Sequence, residues 1–227
     1  MKKFLYLLVA GLMVLPVFSA DEDEGARGAI EEVIVTAERR EASIMDTAIS
    51  ITAFDESLIE TLNLRNQEDL QNFIPATTIQ PYDISIRGIG RVFRALGGDP
   101  GIGTYQDGAY SEDFGIASTD NALYDLARIE VLRGPQGTLY GRNSIGGAVN
   151  FITNKPSQDF EAEIKTISGS YGTAEVYALL NGPITEHLSA RLITTHRIRG
   201  GTVEDLAGHE DLDSYDDENH TLALRWE

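Results

Sequence analysis

The run from residue 128 to residue 156, RIEVLRGPQGTLYGRNSIGGAVNFITNKP, constrains the fold more than any other part of the chain. Ile129, Val131 and Leu132 form a short β segment that has to stop at Arg133-Gly134-Pro135, because proline fixes φ and has no amide proton with which to extend a ladder. Gly134, Gly137, Gly141, Gly146 and Gly147 follow, and glycine tolerates positive φ and close backbone approach. The result is a compact, turn-rich knot in which Leu139 and Tyr140 supply apolar surface to bury. Residues 148–153 then return as a strand, with Ala148, Asn150 and Ile152 on one face and Val149, Phe151 and Thr153 on the other.

Upstream, residues 48–54 alternate and predict a strand. Asp55 is placed to cap a helix carrying Leu58, Ile59 and Leu62 on one face, and Asn66 with Asp69 three residues later marks the start of a second helix, 67–73, ended by Pro75. Residues 84–88 and 102–108 predict further strand ends that meet glycine-rich loops. Strands with two short helices indicate a small α+β domain. After Pro156 the pattern changes. Leu188, Ala190, Leu192, Thr194, His196 and Ile198 alternate with Ser189, Arg191, Ile193, Thr195, Arg197 and Arg199, giving one mainly apolar and one basic face. Residues 175–184 put Val176, Ala178, Leu180 and Ile184 on one side, and His220, Leu222, Leu224 and Trp226 alternate with Thr221, Ala223, Arg225 and Glu227. Such strands suit lipid outside and water inside, with Trp226 at the position of an interfacial aromatic. The short 182–187 connection and the long 200–219 connection match short periplasmic and long extracellular turns.

The amino terminus reads as a secretory signal peptide, residues 1–20: Lys2 and Lys3, an apolar stretch 4–15, then Pro16-Val-Phe-Ser-Ala20 and the acidic run 21–24. The stretch is too short for a lasting transmembrane helix, which needs about 20 residues. Cleavage after Ser19 and cleavage after Ala20 both remain open. Cysteine is absent, which removes disulfides, thiolate metal sites, cysteine nucleophiles and lipid attachment together. Removal of the signal takes away two lysines and no acids, so the formal charge moves from −18 to −20, which argues against a nucleic-acid partner. Much of this charge lies in residues 204–218, read as a solvated acidic loop. Between signal and domain lies an arm, 21–43, in which Val33, Ile34 and Val35 make a short strand without a hydrophobic partner nearby, an exposed edge of the kind that pairs with another chain.

The run 128–156, the Ile-Arg-Gly turn at 86–88 and the strand Thr104-Tyr-Gln-Asp-Gly108 together resemble the plug domain of TonB-dependent outer-membrane receptors. Where the family usually has an apolar residue the chain has Gln106, which predicts a weaker core position there. The resemblance implies an α+β plug domain, a small mixed sheet with short helices, over 44–156. It is followed over 157–227 by the first antiparallel strands, about four, of an incomplete transmembrane β-barrel. It also implies that Glu32, Val33, Ile34, Val35, Thr36 and Ala37 form the TonB box, which adds as a strand to TonB, itself energised by an inner-membrane complex. Loops at the plug apex would then carry the ligand contacts: Arg91, Phe93, Arg94, Tyr105, Tyr110 and Phe114. Arginines there suit anionic ferric chelates, and aromatic rings suit catecholate or heterocyclic groups. Glu130, Arg133 and Arg142 become candidates for a latch between plug and barrel wall, and Arg87, Gly88, Gly134, Pro135, Gly137 and Gly141 form the plug turns. No cofactor is implied. The function implied is energy-coupled uptake of a scarce nutrient such as a ferric siderophore, from the outer membrane with the arm in the periplasm.

About 70 residues follow Pro156, room for about four tilted strands, whereas plugged outer-membrane transporters use about 22. The sequence therefore reads as the amino-terminal part of a receptor. The alternative is a free periplasmic plug that binds TonB or senses ligand without transport. An enzyme has little support: His187, His196, His209 and His220 are scattered without an HExxH, residues 141–146 are not a Gly-x-Ser-x-Gly elbow, and Gly88-Ile-Gly90 does not continue as a dinucleotide loop. The carboxylates of 210–218 lack the glycine and spacing of an EF-hand calcium loop.

Overall fold

In the computed structural model, which describes residues 34–36, 42–46, 49–80, 83–91, 99–111, 123–204 and 211–227, the 128–156 run forms the middle of a five-stranded sheet. Strands β8 (Leu126–Arg133) and β9 (Gly147–Thr153) pair antiparallel through Ile129↔Phe151, Val131↔Val149 and Leu132↔Ala148. β3 (Ile51–Asp55) lies antiparallel on the far side of β8, β6 (Ile102–Gln106) parallel beside β9, and β7 (Ala109–Ser111) antiparallel beside β6. The mixed order is β3-β8-β9-β6-β7.

Alternation along β8 and β9 gives this sheet two separate cores. One face joins Ile129, Val131, Val149 and Phe151 to Phe54, Ile59, Leu64, Leu70, Ile74, Ile84, Ile86 and Ile102. The opposite face joins Leu132 and Ala148 to Val35, Tyr105 and Tyr140. The first helix, Glu56–Thr61, starts where Asp55 accepts the Leu58 amide at 2.8 Å; its buried residue is Ile59, while Leu58 lies toward solvent. The second is a 3-10 helix, Gln67–Asn72, entered through Asp69, whose carboxylate accepts the amides of Arg65 and Asn66. β4 (Thr77–Gln80) and β5 (Asp83–Ile86) make a separate antiparallel pair.

Two features of the knot depend on glycine. Gly134 turns at φ +112°, donating its amide to the Gly146 carbonyl at 2.9 Å. Gly147 opens β9 at φ +157°, and a Cβ there would collide with the Leu132 carbonyl oxygen. Gly137 opens the short helix Gly137–Tyr140 with open space around it, so neither positive φ nor crowding requires glycine there. Gln106 weakens no core position, because it sits exposed at the end of β6.

Residues beyond Pro156 build a second, antiparallel sheet of four strands: β10 (Glu161–Ser168), β11 (Ala174–Thr185), β12 (Leu188–Arg199) and β13 (Tyr215–Trp226). Glu175, Tyr177, Leu179 and Asn181 of β11 are buried toward the first domain, as are Ser189, Arg191, Thr195 and Arg197 of β12. The outward row carries Val176, Leu180, Ile184, Leu192, Ile198, Leu222, Leu224 and Trp226, all solvent-exposed. β13 begins at Tyr215, inside the stretch whose acids suggested a loop through residue 219. Its carboxylates have partners that only the pairing supplies: Asp217 lies opposite Arg197 and bonds it at 2.9 Å. Among the described residues the sheet does not close, and residues Val33–Glu227 form one compact unit. The signal peptide lies outside the described residues.

Candidate functional site

The arm is docked. β1 (Ile34–Val35) pairs antiparallel with β2 (Ala42–Ser43), Ile34 remains half-exposed, and Val35, 1% exposed, enters the core of Leu132, Tyr105 and Tyr140. Thr36 donates its amide to Glu130 Oε1 at 2.6 Å and its hydroxyl to the same oxygen at 3.1 Å, while Arg128 Nε reaches that oxygen at 2.8 Å. The exposed edge anticipated for this segment is therefore corrected. Its hydrophobic partner is chiefly the second face of the plug sheet, which the alternation of β8 and β9 creates, with Ile44 and Ile49 from shortly down the chain packed against the same cluster. Glu32, Val33 and Ala37 lie outside the described residues.

The candidate ligand residues do not share one apex. β6 runs parallel to β9, so the Asp107-Gly108 turn lies where β9 leaves for β10: Asp107 bonds the Thr153 amide at 3.1 Å and Lys155 Nζ at 2.6 Å. The Arg87-Gly88 turn lies toward the knot end, where Gly146 donates to the Gly101 carbonyl and Gly101 abuts Gly90. Arg87 and Gly88 both have positive φ, and the Arg87 amide donates to Ala76 at 2.7 Å. Tyr105 is a core residue, 2% exposed, with its hydroxyl on the Tyr140 carbonyl at 2.6 Å, which corrects its place among ligand-facing groups. Tyr110 reaches the knot instead: Asn143 Nδ2 donates to its hydroxyl at 2.7 Å, and the exposed Arg142 guanidinium lies 6.0 Å from its ring centroid. Asn143 also approaches Asp99 at 3.4 Å, so Asp99 and Asn143 belong to this patch although no sequence motif marks them. Arg91 lies at the same end, its amide on Asp83. Phe93, Arg94 and Phe114 fall outside the described residues.

Among the described residues, the ion pairs between plug and β10–β13 are made by residues other than Glu130, Arg133 and Arg142. Glu130 faces the arm, on the sheet face away from the wall; Arg133 has a buried Nε without a hydrogen-bond partner among the described residues; Arg142 lies over Tyr110. The seam is made by two other ion pairs. Arg191 of β12 grips Asp125 with two nitrogens, Nε lying 2.9 Å from Oδ2, and reaches Glu161 of β10 at 2.8 Å through Nη1. Farther along the wall, Arg65 pairs with Glu175 of β11, which also accepts the hydroxyls of Tyr177 at 2.6 Å and Tyr215 at 2.8 Å. Tyr124 packs on Tyr177 with ring centroids 5.1 Å apart. Sequence displayed the basic face of β12 but carried no sign of which plug acid would meet it.

Carboxylates crowd this seam. Asn154 Nδ2 lies 3.0 Å from Asp125 Oδ1 and 3.5 Å from Glu56 Oε1. Partial burial, then the charges of Asp125, Glu60 and Glu161, raise the Glu56 carboxyl above its ordinary 4.5, with Arg191 acting the other way. Burial, followed by the charges of Glu163 and Asp125, pushes the Tyr124 phenol up as well.

Residues 43–148 match the TonB-dependent receptor plug domain. The chain is 30% identical over 163 residues to the ferripyoverdine receptor of Pseudomonas aeruginosa, covering 70% of this chain and 19% of that protein. It is 26% identical over 221 residues to the pesticin receptor of Yersinia pestis, covering 92% of this chain and 31% of that one. Among solved structures, the ferric yersiniabactin uptake receptor of Yersinia pestis superposes with a TM-score of 0.68 at 25% identity, over 78% of this chain and 28% of that chain. The chain thus spans 19% and 31% of the length of these two curated relatives. All are named as receptors.

Proposed function

The chain belongs to the TonB-dependent receptor plug-domain family, and on that premise we propose that it is the entrance portion of an outer-membrane receptor for energy-coupled uptake of a ferric siderophore. In this reading residues 1–20 are the export signal, 21–43 the periplasmic arm, 44–156 the plug, and 157–227 the first strands of a barrel that spans the outer membrane. Residues 32–37 add as a strand to TonB, which draws on its inner-membrane energising complex. Cargo binds at the knot end, where Arg91, Tyr110 and Arg142 present cationic and aromatic groups; Phe93, Arg94 and Phe114 remain candidates from the sequence alone. Arg133, whose buried Nε has no hydrogen-bond partner among the described residues, and Arg142 keep their candidacy as latch residues toward wall strands beyond β13.

The observation that carries this reading is a strand-forming arm beside a mixed-sheet plug, joined to strands whose outward row is apolar and whose inward row is polar. No covalent step is needed. The test is uptake of radiolabelled iron chelates by the source cell after Val35→Pro substitution, which removes an amide from the pairing strand. Uptake should fall to the level of a TonB-deficient cell while outer-membrane protein remains. Unchanged uptake would overturn the assignment of the arm, and recovery of the protein only in the periplasmic fraction would favour a free plug.

A further inference from the structure

One polar contact at the knot end has its direction fixed by its neighbours. Asn143 Nδ2 lies 2.7 Å from the Tyr110 hydroxyl and 3.4 Å from Asp99 Oδ1. An ionised carboxylate only accepts, so the end of the Asn143 amide that faces Asp99 is its nitrogen; the amide oxygen there would set two acceptors against each other. That same nitrogen faces Tyr110, so the phenol oxygen accepts and its own proton points away from the knot. Among the described residues, no group accepts that proton and none pairs with the exposed Arg142 guanidinium, which lies 6.0 Å from the Tyr110 ring centroid.

The phenol is held firmly in this pose. Asn143 is 8% exposed and sits at φ +63°, left-handed backbone that asparagine and glycine tolerate better than other residues. Its turn is closed by the Ser144 hydroxyl on the Gly141 carbonyl at 2.7 Å and by the Gln136 amide on the Ser144 carbonyl at 2.8 Å. Tyr105, directly opposite Tyr110 in the β6–β7 register, packs on its ring with centroids 5.5 Å apart, and is itself tied to the knot through the Tyr140 carbonyl. Asp99 and Arg142 carry opposite charges in this patch, so discrimination between ligands rests on the direction of one proton more than on net charge.

We propose that Asn143 is a positioning residue for cargo: it holds Tyr110 as a hydrogen-bond donor toward an anionic oxygen, a phenolate, catecholate or carboxylate, that binds beside Arg142. The proposal rests on the uptake reading for the identity of the ligand as cargo; the direction of the hydroxyl is a property of the chain alone.

That direction is tested first, without ligand. The Raman doublet of tyrosine differs between a phenol that accepts a hydrogen bond and one that donates, and the difference spectrum between the chain and Tyr110→Phe isolates this ring. The chain should show the acceptor signature, and Asn143→Gly, which keeps the left-handed backbone, should lose it. A donor signature in the chain, or the same doublet in both, would overturn the proposal. Recognition is then measured by equilibrium dialysis of the full chain in detergent micelles against an anionic tris-catecholate iron chelate and a neutral tris-hydroxamate one. Asn143→Gly and Tyr110→Phe should each weaken the anionic chelate about tenfold, the scale of one hydrogen bond to a charged group. The double variant should bind no more weakly than Tyr110→Phe alone, and the neutral chelate should lose about threefold at most. Equal losses for the two chelates would mean a structural role, and additive losses in the double variant would mean that Asn143 does not act through Tyr110; either overturns the proposal. An acceptor signature with neither chelate bound would overturn the uptake reading, and the anion seat with it.

Discussion

Asp125 and Glu130 are both almost wholly buried carboxylates, and each holds a different part of the molecule to the plug: Asp125 the wall through Arg191, Glu130 the arm through Thr36. Glu130 concentrates its bonds on one oxygen and leaves Oε2 buried without a partner among the described residues, so the hold on the arm is incomplete. Glu130→Ala should weaken docking of the arm by about 1–3 kcal/mol, the scale of a lost charged hydrogen bond. The check is amide hydrogen exchange at Thr36, which should accelerate while exchange at Val149 does not; equal protection in both proteins would remove Glu130 from that role. Glu56 supplies a pH dependence. Its carboxyl is raised in the folded chain, so its favourable contribution is present when it is protonated and is lost as pH rises from 4.5 through the raised value. Glu56→Gln should therefore raise thermal stability at neutral pH and flatten its decline in that window. A variant whose stability follows the same pH curve as the parent would contradict the crowding of carboxylates at the seam.

Among the elements, β8 and β9 were legible because alternation and glycine punctuation fix them locally, and the face assignment of residues 148–153 matches the two cores. The Asp55 cap was legible for the same reason: its bond is three residues long. Long-range pairing was not. Tyr105 read as an exposed ligand group because aromatic residues beside a Gly-containing turn look alike whether the turn faces ligand or not, and only the parallel β6–β9 pairing decides its end. Asp217 read as loop because its compensating Arg197 lies 20 positions earlier, and the Asp125–Arg191 pair spans 66. The knot yields an element-scale prediction. Gly147→Ala places a Cβ against the Leu132 carbonyl oxygen at positive φ, and the strain should cost about 1–3 kcal/mol. Thermal unfolding should show a lower midpoint, and Gly137→Ala, with open space, should not; equal midpoints would mean that the strand entry is not tight.

At the scale of the whole molecule, the plug and the first wall strands form one compact unit whose two holds lie on opposite faces of the central sheet, the arm on one and the seam on the other. A pull applied to the arm meets Val35 and Glu130 before it meets the seam. The outward row of β12 and β13 changes from Leu192 and Leu222 to Thr194 with His220 and His196 with Glu218, so the apolar belt is interrupted there, with Ile198 of β12 apolar again beyond it. Spin labels on Leu224 and Glu218 in lipid vesicles should separate by accessibility, oxygen reaching the first and a polar relaxation agent the second; the same profile at both would contradict the placement of the belt. The central claim, that this plug is worked through its arm by TonB, is tested most directly by calorimetric titration of the purified TonB periplasmic domain into the full chain and into its Val35→Pro variant. The account predicts saturable one-to-one binding by the chain that the variant loses; equal binding by both, or none by the chain, would contradict it.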